Sequence, residues 1–251
     1  MARGSIPAEL TGSPMPRHVA VVMDGNARWA AERGSSTLTG HARGLEAFKN
    51  CVSTCSDWGI PALTVFAFST ENWGRSTAEV SFLMSLFTRA LREEGQALHS
   101  RGVRFRAIGD LSKLPRSLLD EIDRLEALTC DNHQGMQLSV AISFGGRQDL
   151  VQAARALAIK AAKGLLSPSE IDETLFEQHL SLAPVLQLVG HPDVLIRTSG
   201  EHRLSNFLLW ELAYTELVFS PVLWPDFDEV HLMAALLQYQ NRNRRFGQRE
   251  S

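Results

Sequence analysis

His18-Val-Ala-Val-Val-Met-Asp-Gly-Asn-Ala-Arg-Trp29 reads as a strand that runs into a turn and then a helix. The compact apolar run His18–Met23 is of the kind buried on both faces of a parallel sheet. Asp24-Gly-Asn26 interrupts it, and a helix-like stretch opens at Ala27. Working outward, the same alternation recurs. Gly44–Trp58 reads as a helix stopped by Gly59, and Leu63–Phe68 as a second strand ending in the polar loop Ser69–Ser76. Glu79–Ser100 carries a long helical stripe, Val103–Ile108 is a third strand, and Pro115–Leu128 is a helix. Met136–Ile142 is a fourth strand closed by Gly145-Gly146, and Asp149–Ala162 is a helix. Ser167-Pro-Ser-Glu is a capping-type start for the next helix. Asp193–Ile196 is a short fifth strand, and the remainder reads as mostly helical, broken at Pro221 and Pro225.

Strands alternating with helices predict an α/β fold: one domain with a central, mostly parallel sheet flanked by helices. In such sheets ligands bind beyond the carboxyl ends of the strands. The polar segments cluster there: Asp24-Gly-Asn26, Ser69–Arg75, Gly145-Gly-Arg147 and Arg197–Ser205. Residues 1–15 read as a flexible leader and 16–251 as the domain.

Bulk properties exclude several classes. The chain has 251 residues, 25 Lys+Arg against 28 Asp+Glu, and a net charge of −3, so there is no global basic field to gather nucleic acid. No apolar run reaches the ~18 residues of a spanning helix. Cys51, Cys55 and Cys130 are read as reduced, buried thiols. There is no nucleotide-binding Gly-x-x-x-x-Gly-Lys loop and no Gly-x-Ser-x-Gly elbow.

The chemistry starts at Asp24, a carboxylate at a strand end that can hold a hard cation through oxygen. The helix that follows can receive an anion at its opening, with Gly25 allowing close approach and Arg28 adding charge. The same tripeptide also suits an ordinary strand-to-helix turn. Arg197-Thr-Ser-Gly-Glu-His-Arg203-Leu-Ser205 offers two arginine forks and hydroxyls suited to phosphate oxygens, or a solvated charged loop. Glu216, placed on a helix after Arg203, could add a second metal carboxylate or be a helix-surface residue. Ser69-Thr-Glu-Asn-Trp-Gly-Arg75 could close over a substrate and exclude water. The helices from Gly44 and Glu79 present apolar faces: ordinary core, or the walls of a slot for a hydrocarbon chain.

From Pro16 to Gly247 the chain resembles the cis-prenyltransferases, the undecaprenyl diphosphate synthase family. The likeness rests on His18–Trp29, Gly40-His41, Phe68-Ser-Thr-Glu-Asn-Trp-Gly-Arg75, Phe144-Gly-Gly-Arg147, Ile196–Phe207, Leu223-Trp-Pro-Asp-Phe-Asp228 and Arg245-Phe-Gly247. The resemblance implies a fold with an apolar tunnel and a Mg²⁺-dependent enzyme. It would join isopentenyl diphosphate to an allylic diphosphate. Asp24 would bind Mg²⁺, with Gly25, Asn26, Arg28 and His41 at the allylic diphosphate and Trp29 among the substrate-binding residues. Arg197, Arg203 and Ser205 would hold isopentenyl diphosphate. Ser69 and Asn72 would orient the condensing carbon and assist proton removal, while Trp73, Arg75 and Glu79 would belong to the closing loop. Glu216 would stand near the metal of a partner subunit's site, and Arg245 and Gly247 would reach across a homodimer. The resemblance also allows peripheral membrane contact and a cytoplasmic or plastid-stroma location.

Four positions depart from the family pattern. Thr37 stands where an arginine usually contacts the allylic diphosphate, with Arg33 or Arg43 as candidate substitutes. Ala27 replaces a glycine, and Ser143-Phe144 replaces Asn-Tyr. Small Ala67 and the lack of an insertion after the Glu79–Ser100 helix point to a product of short to medium length. Two alternatives stay open: a short-chain or irregular terpenoid diphosphate synthase using dimethylallyl diphosphate, and a non-catalytic partner subunit.

Overall fold

The computed structural model describes residues 6–242. Six strands form one sheet: β1 (His18–Val22), β2 (Ala62–Ser69), β3 (Arg104–Ile108), β4 (Gln137–Phe144), β5 (Val194–Arg197) and β6 (Glu216–Phe219). Their order is β3-β4-β2-β1-β5-β6, and every pairing is parallel. The helices are α1 (Asn26–Glu32), α2 (Thr37–Asp57), α3 (Thr77–Ser100), α4 (Arg116–Leu128), α5 (Gly146–Ala162), α6 (Glu173–Glu177), α7 (Ala183–Leu188) and α8 (Glu229–Gln240).

β1 is buried along its whole length, as a central parallel strand must be when helices cover both faces. Its side chains alternate between two cores. Val19 and Val21 join Leu63, Val65, Leu138 and the helix-side residues of the larger core; Ala20 and Val22 join Phe66, Leu195, Phe207 and Leu208 on the other face. His18 is fully buried between Gly190 O at 2.9 Å and Thr64 Oγ1 at 2.8 Å. Burial drives its pKa down to about 4.

Several expectations are corrected. Glu216 is the first residue of a sixth strand, not part of a helix. Its run of four residues, only one of them buried, is too short to show a period. α2 begins at Thr37, seven positions before the expected start, because Ser36 caps it by accepting from Thr39 N. Ser167–Glu170 does form a capping box, but on a 3-10 turn, and α6 starts at Glu173 behind its own cap, Asp172. Within the stretch expected to be a flexible leader, Ala8–Leu10 form a 3-10 turn with Leu10 fully buried. Gln240 Nε2 of α8 donates to Leu10 O at 3.0 Å and Ser13 O at 2.9 Å, tying that segment down. Cys51 and Cys55 are buried, whereas Cys130 is exposed.

Candidate active site

The chain steps from β1 to β2 on one side and returns to β5 on the other, so the strand order reverses beside β1. That is where open α/β sheets bind ligands. Asp24 and Arg197 meet at this point: Arg197 Nη2 donates to Asp24 Oδ2 at 2.9 Å. Thr198 locks the turn, its Oγ1 donating to Asp24 O at 2.7 Å and accepting from Asp24 N at 2.9 Å. Gly25 caps α1 with φ 114°, and a Cβ there would stand 2.9 Å from Leu223 Cδ2, so a side chain meets both strain and a clash.

Arg197 is 3% exposed, and its Nη1 donates to Ser205 Oγ at 2.7 Å and to Arg203 O. Its buried Nε has no hydrogen-bond partner among the described residues. Arg28 donates to Ser199 Oγ at 2.5 Å and lies 3.3 Å from Glu201, which also pairs with Arg203. Three arginines therefore converge on two carboxylates, Asp24 and Glu201, leaving a local positive excess suited to anionic oxygens. The loop from Arg197 is wound by left-handed Ser199, Ser205, Asn206 and Leu208, a concentration of unusual backbone that marks functional turns.

From the other side, Glu79 Oε1 lies 3.0 Å from His41 Nε2 and accepts from Arg75 Nη1 at 3.0 Å. Burial lowers the His41 pKa, and the Glu79 hydrogen bond opposes that shift without overcoming it. Asn72 Oδ1 accepts from Ser69 N at 3.0 Å and closes the 3-10 turn Thr70–Gly74. Trp73 packs edge-on against Phe68, and its Nε1 donates to Ser143 Oγ at 3.0 Å. Ser143 itself sits at φ 53°.

These groups surround a polar cavity of about 580 Å³ whose walls include Asp24, Asn26, His41, Ser69, Asn72, Arg75, Arg197, Arg203 and Ser205. Met23, Asn26, His41 and Ala67 also line a narrow apolar throat of about 90 Å³ between α2, α3 and the sheet. Among the described residues, Gly25, Arg28, Trp29, Trp73, Glu79 and Glu216 are expected residues that do not line this cavity. Trp29 turns away, its Nε1 donating to Asp226 Oδ1 at 2.8 Å. Arg33 stacks over Trp29 at 4.4 Å and pairs with Asp226 at 2.8 Å. Glu216 pairs in register with Val194, three steps back along the strands from Arg197 and, at the level of Val19, five from Asp24. At about 3.3 Å per residue, that separation keeps Glu216 and Asp24 of one chain off a common ion. Arg245 and Gly247 lie outside the described residues.

Glu201, Thr198 and Asn206 were given no role in the sequence reading, although all three lie inside the Ile196–Phe207 motif. Their signal was position after a strand; their partners depend on the winding of the loop.

The fold and site define an α/β enzyme with an anion-receiving mouth opening on an apolar slot. The family model "Putative undecaprenyl diphosphate synthase" matches residues 22–247, and the chain belongs to that family. It is a prenyltransferase. It is 49% identical over 247 residues to dehydrodolichyl diphosphate synthase 2 of Arabidopsis thaliana, covering 98% of this chain and 79% of that protein. It is also 49% identical over 234 residues to the (2E,6E)-farnesyl-diphosphate-specific ditrans,polycis-undecaprenyl-diphosphate synthase of Escherichia coli K12, covering 92% and 89%. Among solved structures, lavandulyl diphosphate synthase from Lavandula x intermedia, in complex with dimethylallyl diphosphate, superposes with a TM-score of 0.90. That pair is 44% identical, with 93% of this chain and 99% of that chain covered. Among the described residues no helix is long and apolar enough to cross a membrane.

Proposed function

We propose that the enzyme condenses isopentenyl diphosphate with an allylic diphosphate to give a Z-configured prenyl diphosphate of short to medium length. The observation that carries this reading is the continuity of the arginine-lined cavity with the apolar throat through Met23, Asn26, His41 and Ala67. A charged head and a hydrocarbon tail are thereby sorted to opposite ends.

Arg197, Arg203 and Ser205 hold the diphosphate of isopentenyl diphosphate by forked, charge-assisted hydrogen bonds. Asn26, His41 and Arg28 receive the allylic diphosphate. Its C–O bond breaks with departure of diphosphate, the isopentenyl double bond supplies the electrons of the new C–C bond, and a proton leaves the neighbouring carbon to set the cis double bond. Ser69 and Asn72 orient that carbon, and the Trp73 loop keeps water from the cationic centre.

The donor set fits Mg²⁺. Asp24 is a hard oxygen ligand at the cavity mouth, its side chain about one-third exposed. Among the described residues no three His, Cys, Asp or Glu side chains gather into a metal cage. Mg²⁺ characteristically takes one or two carboxylates and completes its shell with substrate phosphates and water. When bound, it neutralises charge developing on the departing diphosphate.

Throat size bears on the product. An apolar cavity of about 150 Å³ holds benzene, so about 90 Å³ takes a group on the scale of a single isoprene unit unless α2 and α3 part. That limit, with Thr37 in place of an arginine, favours as a second reading a short or irregular terpenoid diphosphate made from dimethylallyl diphosphate. Homodimerisation, peripheral membrane contact and a cytoplasmic or plastid site complete the proposal.

Chromatography of radiolabelled products from dimethylallyl, geranyl and farnesyl diphosphate tests it. Z-prenyl diphosphates shorter than roughly a dozen isoprene units are expected. Conversion of dimethylallyl diphosphate without isopentenyl diphosphate would favour the irregular reading. Asp24→Ala should abolish condensation while leaving the circular dichroism unchanged; normal turnover in that variant overturns the assignment.

A further inference from the structure

Asn206 carries no charge and belongs to no pairing proposed for the substrates, yet from its own loop it bonds to two of the other three that meet at the site. Its side-chain Nδ2 donates to Glu71 Oε1 in the turn after β2, at 3.0 Å. Its Oδ1 accepts from Arg147 N at 2.9 Å, and its backbone carbonyl accepts from Gly146 N at 2.6 Å, both at the start of α5 after β4. Its neighbour Ser205 accepts from Arg197, at the end of β5.

The fit is tight. A Cβ on Gly145 would lie 2.9 Å from Asn206 Nδ2, and one on Gly146 would lie 3.1 Å from Asn206 O. Asn206 itself sits at φ 63°, which asparagine tolerates better than other side chains with a Cβ. Glu71 is braced to meet it: Thr70 Oγ1 donates to Glu71 Oε2 at 3.1 Å. Burial tends to raise the Glu71 pKa, but hydrogen bonds from its own backbone, Asn206, Ser69 and Thr70 outweigh that and keep it ionised.

We propose that Asn206 is a positioning residue that couples the loop carrying Arg203 and Ser205 to the closing loop Ser69–Arg75 through its hydrogen bond to Glu71. The inference rests on the reading of those loops as the isopentenyl diphosphate site and its cover. A diphosphate held by Arg203 and Ser205 draws in the segment that carries Asn206. Asn206 in turn fixes Glu71, and with it the turn that presents Ser69, Asn72 and Trp73.

An exchange of bonding partners tests this. Asn206→Asp retains the oxygen that Arg147 N needs but sets a second carboxylate against Glu71. The expected result is a fall in kcat/KM of about tenfold or more, the scale of a lost charge-assisted hydrogen bond. The fall should show in kcat as well as in KM for isopentenyl diphosphate. Adding Glu71→Gln to that variant supplies a side-chain N–H to the new carboxylate and should recover most of the loss. Wild-type rates for Asn206→Asp, or a double variant in which the two losses multiply, overturn the coupling. Recovery in the double variant also excludes misfolding as the cause. Asp24→Ala, measured alongside, separates the two claims. A dead Asp24→Ala with a normal Asn206→Asp refutes the coupling alone, whereas an active Asp24→Ala refutes the site.

Discussion

Arg33 and Thr37 lie one helical turn apart in sequence, and together they define what is unusual at the allylic end. Arg33 pairs with Asp226 and stacks on the Trp29 ring, at the junction of α1 with the Trp224–Asp226 turn. Thr37 opens α2 behind the Ser36 cap. If the resemblance places an arginine of other family members correctly, Thr37→Arg restores a phosphate fork. It should lower KM for the allylic diphosphate by about tenfold, the value of one charge-assisted hydrogen bond, with KM for isopentenyl diphosphate unchanged. Steady-state kinetics with each substrate varied in turn decides it. At this scale the convergence was legible: Asp24, Arg197, Arg203 and Ser205 line one cavity, as their positions at and after the ends of β1 and β5 require. It did not reveal pairings. Nothing in the letters of Glu201 or Asn206 says that four left-handed residues wind the loop so as to aim them at Arg28 and Glu71.

Elements were legible where the apolar period was strong and illegible where packing decides. β1, β2 and β4 are mostly buried and rich in apolar, β-branched and aromatic residues, with polar His18, Thr64, Gln137 and Ser139 buried among them, whereas β6 is short, lies at the sheet edge and follows a turn. The α1–α2 pair depends on a contact no period announces. A Cβ on Gly40 would stand 2.1 Å from Asn26 O and 3.2 Å from Ala30 Cβ. Inside a helix, alanine ordinarily gains about 1 kcal/mol over glycine. Here Gly40→Ala should instead destabilise by about 1–3 kcal/mol, the cost of overpacking. Turnover should also fall, because the displaced atom belongs to Asn26. Urea denaturation measures the first effect and product formation the second; an unchanged midpoint would mean that α1 yields freely.

At the scale of the molecule, two buried ionisable groups oppose one another. His18 has a folded-state pKa of about 4 against an ordinary 6.5. Its contribution is therefore present above pH 6.5 and is lost as pH falls toward 4. Glu211, 3% exposed, has its pKa raised by burial to about 7 from 4.5. Its contribution is present below pH 4.5 and is lost as pH rises through 7. Each shift corresponds to about 3 kcal/mol at 1.36 kcal/mol per unit. Glu211→Gln should therefore gain stability relative to the parent between pH 4.5 and 7, as read by urea midpoints across that window. A constant difference would show that the carboxyl is ionised in the folded state. The separation of Glu216 from Asp24 makes a second prediction at this scale. If each Glu216 serves the other subunit, inactive Asp24→Ala and Glu216→Gln chains, unfolded and refolded together, should regain activity in mixed dimers, each with one complete site. Failure of the mixture to regain activity, with dimers present by ultracentrifugation, counts against a shared site. The alternation of strands and helices made the layered architecture readable from sequence. The packing of Leu10 beneath α8 was not readable, since it depends on partners far along the chain. The strand order has a cost during biosynthesis. Val19 of β1 pairs with Leu63 on one side, but its other flank waits for Val194. While the ribosome makes the intervening segment, the middle of the future sheet has a bare edge able to pair with any other nascent chain. The interval before Val194 emerges is therefore where this topology is open to aggregation, and where a ribosome-associated chaperone would act.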